Sequence, residues 1–150
     1  SAPELQQICL HLLENALDAL SDTESASGAA ERPGGLITLT ASTRRDAQGQ
    51  DWYDLVVRDN GPGIAPDIMP HIFEPFFSTR ALQSPVAAHA SGGKTLGRYV
   101  GLGLAVARSL AHARGGELTA ANAADGGAEF CLSLPLAESL GEHPTPKAKA

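Results

Sequence analysis

The sequence predicts an α+β fold in which helices cover one face of a mostly antiparallel sheet. Three observations carry this. An amphipathic helix opens the chain, two pairs of short alternating segments each read as a hairpin, and no strict strand–helix–strand alternation runs through the 150 residues. The order is helix, strand, strand, short helix, long loop, helix, strand, strand. With 43% hydrophobic and 19% charged residues, the chain can build a single core.

The first helix is predicted over residues 3–20. Leu5, Ile8, Cys9, Leu12, Leu13, Ala16, Leu17 and Leu20 recur on one helical face. Pro3 suits the first turn, where a missing N–H costs nothing. His11, Asn15 and Asp18 run up the flank with Glu14 beside them. Residues 21–35, rich in Ser, Ala, Gly and Glu, read as a loop. Residues 36–42 alternate with Ile37, Leu39 and Ala41 on one face, and residues 52–58 with Tyr53, Leu55 and Val57. The polar stretch between them contains Gly49, so the pair reads as an antiparallel hairpin.

Asp59-Asn60-Gly61-Pro62-Gly63 ends the second strand. Pro66 then opens a short helix through His71, followed by Phe73, Phe76 and Phe77. Residues 78–100 show no period and carry Gly92, Gly93 and Gly97. A loop this long is functional or disordered. A second helix is predicted over 101–113, stopped by Gly115-Gly116. Residues 117–122 and 128–134 form a last hairpin about Asp125-Gly126-Gly127, with Leu118, Ala120, Phe130, Leu132 and Leu134 facing in. The domain is expected over 1–136 and a flexible tail over 137–150, where Pro144, Pro146 and alternating Lys and Ala give nothing to bury.

Composition excludes several classes. A net charge of −6 argues against a nucleic-acid binder. No apolar run reaches the roughly 18 residues of a membrane span, and the first residues show no signal-peptide pattern, so a cytoplasmic location without membrane contact is expected. Two cysteines, Cys9 and Cys131, exclude a disulfide framework and read as core thiols. His71, His89, His112 and His143 lack metal-ligand spacing and read as surface residues. Residues 75–116 contain no Asp or Glu but hold Arg80, Lys94, Arg98, Arg108 and Arg114. That stretch either keeps one surface fit for a polyanion or is an arginine-dotted helix with a polar loop.

Several motifs are candidates for chemistry. Asp59 at a strand end can accept a hydrogen bond from an exocyclic amine, and Gly61 and Gly63 let the backbone approach a flat ring. The same residues also suit an ordinary turn. Gly101-Leu102-Gly103-Leu104 opens a helix, whose N–H groups bind phosphate when no side chains intervene, or it is simply a close helix contact. Asn15 offers a hard amide oxygen suited to Mg²⁺, or sits solvated on its helix flank. The stretch from Ala88 to Thr95 ends like a P-loop, but Ala88 replaces the first glycine and no strand precedes it. It is rejected as such, with Lys94 kept as a phosphate contact.

Taken in order, Leu12-Leu13-Glu14-Asn15-Ala16, Asp59-Asn60-Gly61-Pro62-Gly63, Phe73-Glu74-Pro75-Phe76-Phe77-Ser78-Thr79, Gly101-Leu102-Gly103-Leu104 and Gly126-Gly127-Ala128-Glu129-Phe130 resemble the N, G1, F, G2 and G3 boxes of the sensor histidine kinase catalytic domain. This is the Bergerat-fold ATPase superfamily shared with gyrase B, and the resemblance covers about residues 4–135. It implies a two-layer α/β sandwich that binds ATP with Mg²⁺. Asn15 would hold Mg²⁺, Asp59 would accept the adenine amine, and Gly61 and Gly63 would shape the adenine pocket. Residues 78–100 would form a lid carrying Arg80, Lys94 and Arg98 to the phosphates, and Gly101, Leu102 and Gly103 would cradle the triphosphate. Ser78 and Thr95 are weaker hydroxyl candidates.

The resemblance also implies what the domain acts on. The γ-phosphate would go to a histidine on a separate dimerisation domain of the same kinase, and from there to a response regulator. That domain normally precedes the N box, so the chain is expected to be the catalytic fragment of a longer sensor. His11 occupies the position where hydrolase branches carry a water-activating glutamate and many kinases an asparagine. Glu14, about 100° around the helix from Asn15, is a poor substitute base, which leaves His11 and Glu14 as weak catalytic candidates. Tyr99 replaces a glycine usual before the G2 box. Two alternatives stand beside the kinase reading. One is an ATP-hydrolysing conformational switch, and the other a noncatalytic module that docks partners through Phe73, Phe76 and Phe77.

Overall fold

Alternation along the last strand organises the core. In β4 (Ala128–Pro135) Ala128, Phe130 and Leu132 are buried, whereas Glu129, Cys131 and Ser133 face the other way. The computed structural model describes residues 2–26, 34–77 and 102–136. Before β4 come α1 (Ala2–Ala26), β1 (Ile37–Arg45), β2 (Asp51–Asp59), a 3₁₀ turn (Met69–His71), α2 (Gly103–Ala113) and β3 (Glu117–Asn122). Residues 78–101 and 137–150 lie outside the described residues, and with them the expected lid, Arg80, Lys94, Arg98, Tyr99, Gly101 and the tail.

The described strands form one sheet in the order β1-β2-β4-β3, with every pairing antiparallel. Leu55 pairs with Leu132, which pairs with Leu118, and Val57 pairs with Phe130, which pairs with Ala120. These rows stack under α1 and α2, which supply Ile8, Leu12, Ala16, Ala107 and Ala111. α1 packs on α2 and β2, and α2 on β3 and β4. Leu132 is fully buried among them. Leu132→Ala should cost about 2–5 kcal/mol of stability through lost transfer energy and a cavity. Urea denaturation checks this, and a loss below about 1 kcal/mol would mean the core closes around the gap.

Three predicted elements differ from those observed. The first hairpin is longer: β1 runs to Arg45 and β2 starts at Asp51. Asp46 Oδ1 accepts from the N–H groups of Gln48 and Gln50, and Trp52 Nε1 donates to Asp46 Oδ2 at 2.8 Å. The indole bond holds the Asp46 carboxyl below the usual carboxylate range. Arg44 pairs with Asp54 and Arg45 with Asp51. Polar cross-strand pairs thus extend strands that hydrophobic alternation does not reveal. β1 also lies at the sheet edge, outside the helical cover. Leu39 and Ala41, expected to face the core, are exposed.

Pro66 does not open an α-helix. Turns lead to the 3₁₀ segment, with His71 N–H donating to Ile68 O. Pro70 has no N–H to continue an α-helical ladder. α1 in turn extends past Leu20 to Ala26. Ser21 Oγ donates to Leu17 O within it. Leu17, placed on the buried face by the sequence pattern, is 54% exposed. It lies about 140° around the helix from Leu12. Cys131 also leaves the core, because the strand period of two puts it on the opposite face from Phe130. Cys9 does pack against the core, and burial raises its thiol pKa. α2 ends as predicted, with Gly115 left-handed (φ 69°) and Gly116 N–H donating to Ala111 O. Among the described residues, no helix is long and apolar enough to cross a membrane.

Candidate nucleotide site

Antiparallel register brings distant residues to one end of the sheet. β4 runs opposite to β2, so its first residues meet the end of β2, and β3 ends beside them. Asp59, Asn122 and Ala128 therefore converge. Asp59 is buried. Its Oδ1 accepts from Gly61 N–H at 2.9 Å and from Ala128 N–H at 3.3 Å. Two backbone donors offset part of the cost of burying a carboxylate. Neither bond uses Oδ2.

The loop after Asp59 is pinned along its length. Asn60 Oδ1 accepts from Leu36 N–H at 2.8 Å, and Asn60 Nδ2 donates to Gly34 O. The side chain of Asn122 forms two 2.7 Å bonds with one residue, accepting from Ile64 N–H and donating to Ile64 O. Gly63 has φ 78°, and a Cβ there would lie 2.8 Å from Asn122 Oδ1. Gly127 is tighter still, since a Cβ would come within 1.8 Å of Asp59 O. The glycine positions thus follow from a backbone held on both sides.

α1 connects this loop with α2. A Cβ on Gly61 would lie 3.5 Å from Ala19 O, and one on Gly103 would lie 3.3 Å from His11 Nδ1. His11, Asn15 and Ala19 are spaced four apart, so they form one stripe with about 6 Å between successive residues along the axis. Asn15 therefore stands midway between the Asp59–Ile64 loop and the start of α2. It is half-buried. Glu14 Oε2 lies 3.8 Å from His11 Nδ1, so Glu14 turns toward His11. At the start of α2, Leu102 O accepts from Val106 N–H, and among the described residues no side chain caps the first turn. The N–H groups there carry the positive end of the helix dipole.

The structure thus gathers Asn15, Asp59, Gly61, Gly63, Leu102 and Gly103 around one stretch of α1, with His11 at its edge. The sequence reading places Gly127 in the G3 box without its contact to Asp59, and gives Asn122 no role. An Asn at a strand end carries no signal until the register sets it against residues 59–64. The three phenylalanines do not form one exposed patch. Phe73 is half-buried edge-on to Phe130, with Arg108 5.0 Å above its ring, and only Phe76 is largely exposed.

A buried strand-end carboxylate, a glycine-lined loop and the start of α2 thus lie along one helix at one end of the sheet. The chain belongs to the histidine kinase-, DNA gyrase B- and HSP90-like ATPase family, whose model matches residues 1–138. Its relatives are sensor kinases. It is 39% identical over 136 residues to the two-component sensor PprA of Pseudomonas aeruginosa, covering 91% of this chain and 12% of that protein. Full-length ShkA, solved in complex with AMPPNP, is 30% identical with a TM-score of 0.55, over 89% of this chain and 22% of that one. The catalytic domain of histidine kinase ThkA shares the fold, with a TM-score of 0.59 at 22% identity over 90% of this chain and 69% of that one. The chain therefore spans a small part of PprA and of ShkA. It is a histidine kinase-like ATPase domain.

Proposed function

We propose that this domain binds ATP with Mg²⁺ and donates the γ-phosphate to a histidine on the dimerisation domain of the same kinase, which then supplies a response regulator. The observation that carries the reading is Asp59: a buried carboxylate whose Oδ1 is held by two backbone N–H groups while Oδ2 takes neither bond. An adenine amine is a fitting donor for that oxygen, and the glycines of the loop leave room for a flat ring. The AMPPNP complex of the relative ShkA supports the same ligand.

The rest of the site fits a triphosphate. The N–H groups at the start of α2 suit phosphate oxygens, and Gly101, Arg80, Lys94 and Arg98, all outside the described residues, are the further phosphate contacts of this reading. Among the described residues no cluster of acids, histidines or cysteines could hold a metal alone. Asn15 fits Mg²⁺ because that ion takes few protein ligands and completes its shell with phosphate and water. When bound, Mg²⁺ neutralises charge across the phosphates. The domain's own part is positioning: Asp59 fixes the base, Asn15 the metal and α2 the phosphates. The acceptor histidine is the nucleophile. We place the domain in the cytoplasm, where ATP is available.

The test supplies the phosphoacceptor domain of the parent kinase as a separate protein with labelled ATP. Acid-labile phosphohistidine should form on it, and Asn15→Ala should slow transfer by about 100-fold. A folded pair that binds ATP and never transfers would overturn the proposal. Hydrolysis by the isolated domain that disappears in His11→Ala would replace it with the conformational-switch reading.

A further inference from the structure

The geometry points to Asn122 as a positioning residue that sets base selectivity in the site. This rests on the nucleotide reading above and adds a residue outside its ligand contacts. The loop from Asp59 to Ile64 needs an anchor at each end. Its first end is held from within, through Asp59 Oδ1, Gly61 N–H and Ala128 N–H. At its second end the Ile64 side chain packs against the core, while its backbone is held from another strand. The side-chain bonds to Ile64 both come from Asn122, with Oδ1 accepting from Ile64 N–H and Nδ2 donating to Ile64 O, each at 2.7 Å.

An amide that both donates and accepts reproduces one rung of a β-ladder. It joins the far end of the loop to the last residue of β3, which pairs with Ala128. Ala128 in turn donates to Asp59. One side chain thus closes a ring, from Asp59 through the loop to Ile64, through Asn122 to Ala128, and back to Asp59. The ring fixes where the backbone of Gly61 and Gly63 stands relative to Asp59 Oδ2. That spacing decides whether a purine presenting an amine to Asp59 also meets the loop.

Packing and chemistry separate this role from support of the fold. Asn122 is exposed and lies outside the buried core cluster. Gly63 has no side chain to hold its own left-handed backbone in place. Releasing the Ile64 backbone therefore loosens the base-binding loop beside Gly63 while leaving β4 and the helices packed. Asn122 bonds to Ile64 at the base end of the site, whereas the start of α2 lies against His11 of α1. The loss should therefore fall on the base and spare the triphosphate.

The test is competition by AMPPNP and by GMPPNP against a fluorescent ATP analogue, on the wild type, Asn122→Ala and Asn122→Asp. Asp preserves the shape and the acceptor for Ile64 N–H but has no donor for Ile64 O. Asn122→Ala should weaken AMPPNP by about tenfold, the order expected for two hydrogen bonds, and Asn122→Asp by about threefold or more; both should change GMPPNP by less than about twofold. The adenine-to-guanine preference therefore falls. Thermal melts should stay near the wild type for both. If both nucleotides weaken equally, or the preference survives in Asn122→Asp, the assignment is overturned while the nucleotide reading stands. A wild type that binds neither nucleotide overturns both.

Discussion

Gly127→Ala is expected to abolish nucleotide binding and to destabilise the domain by more than about 3 kcal/mol. Its Cβ would lie 1.8 Å from Asp59 O and 2.8 Å from Asp59 C, well inside contact distance. Neither atom belongs to a flexible side chain, so the backbone itself must move. Gly127 also has φ 87°, which an alanine adopts only under strain. The neighbouring Ala128 donates to Asp59 Oδ1, so any shift of this turn removes a bond that holds the buried carboxylate. Denaturant melts and calorimetry with AMPPNP check both parts. Gly126→Ala is the matched control: it too has a positive φ, of 102°, but its Cβ would meet nothing within 4 Å. It should lose stability through strain alone and keep binding. Equal damage from the two variants would show that backbone conformation, and not the close approach to Asp59, is what matters.

Asp59 is the second large effect, and two variants separate its two jobs. Asp59→Asn can keep an oxygen for the N–H groups of Gly61 and Ala128, so the fold should survive. Its amide nitrogen then meets the adenine amine as donor against donor. Affinity for AMPPNP should fall by at least about 100-fold, because an unpaired polar group in a dry site costs more than a bond is worth. Asp59→Ala loses the same affinity and also leaves two N–H groups without their acceptor. That should cost a further 1–3 kcal/mol or so in stability. Calorimetry and urea melts on the same preparations check the pair. An Asp59→Asn protein that binds AMPPNP like the wild type would remove the carboxylate from base recognition.

Much of this was legible in the chain. β4 alternates cleanly because both its neighbours are strands and one of its faces lies under the helices. Its inward residues could therefore be named from the sequence. The Gly115-Gly116 stop of α2 was legible because helix termination is local chemistry. β1 was misread for the opposite reason. Its alternation is real, but burial depends on what lies above a strand, and at the sheet edge no described element covers Leu39 or Ala41. Leu17 was misread because the apolar stripe of α1 is wider than the surface that covers it. Cys131 reads as a core thiol from its residue type, whereas its strand period turns it away from Phe130.

The site divides along the same line. Asp59, Gly61, Gly63, Asn15 and Gly103 stand out because local chemistry restricts them: a carboxylate after a strand, glycines in a turn, an amide on a helix flank, a glycine opening a helix. The sequence by itself determined these residue types, their order and the family they imply. Only the tertiary structure decided that Asn122 grips Ile64, that Gly127 lies against Asp59, and that α1 passes Gly103 at His11 and Gly61 at Ala19. These contacts join residues far apart in the chain. No local preference encodes them, because they arise from strand register and helix docking, which depend on the whole core packing at once.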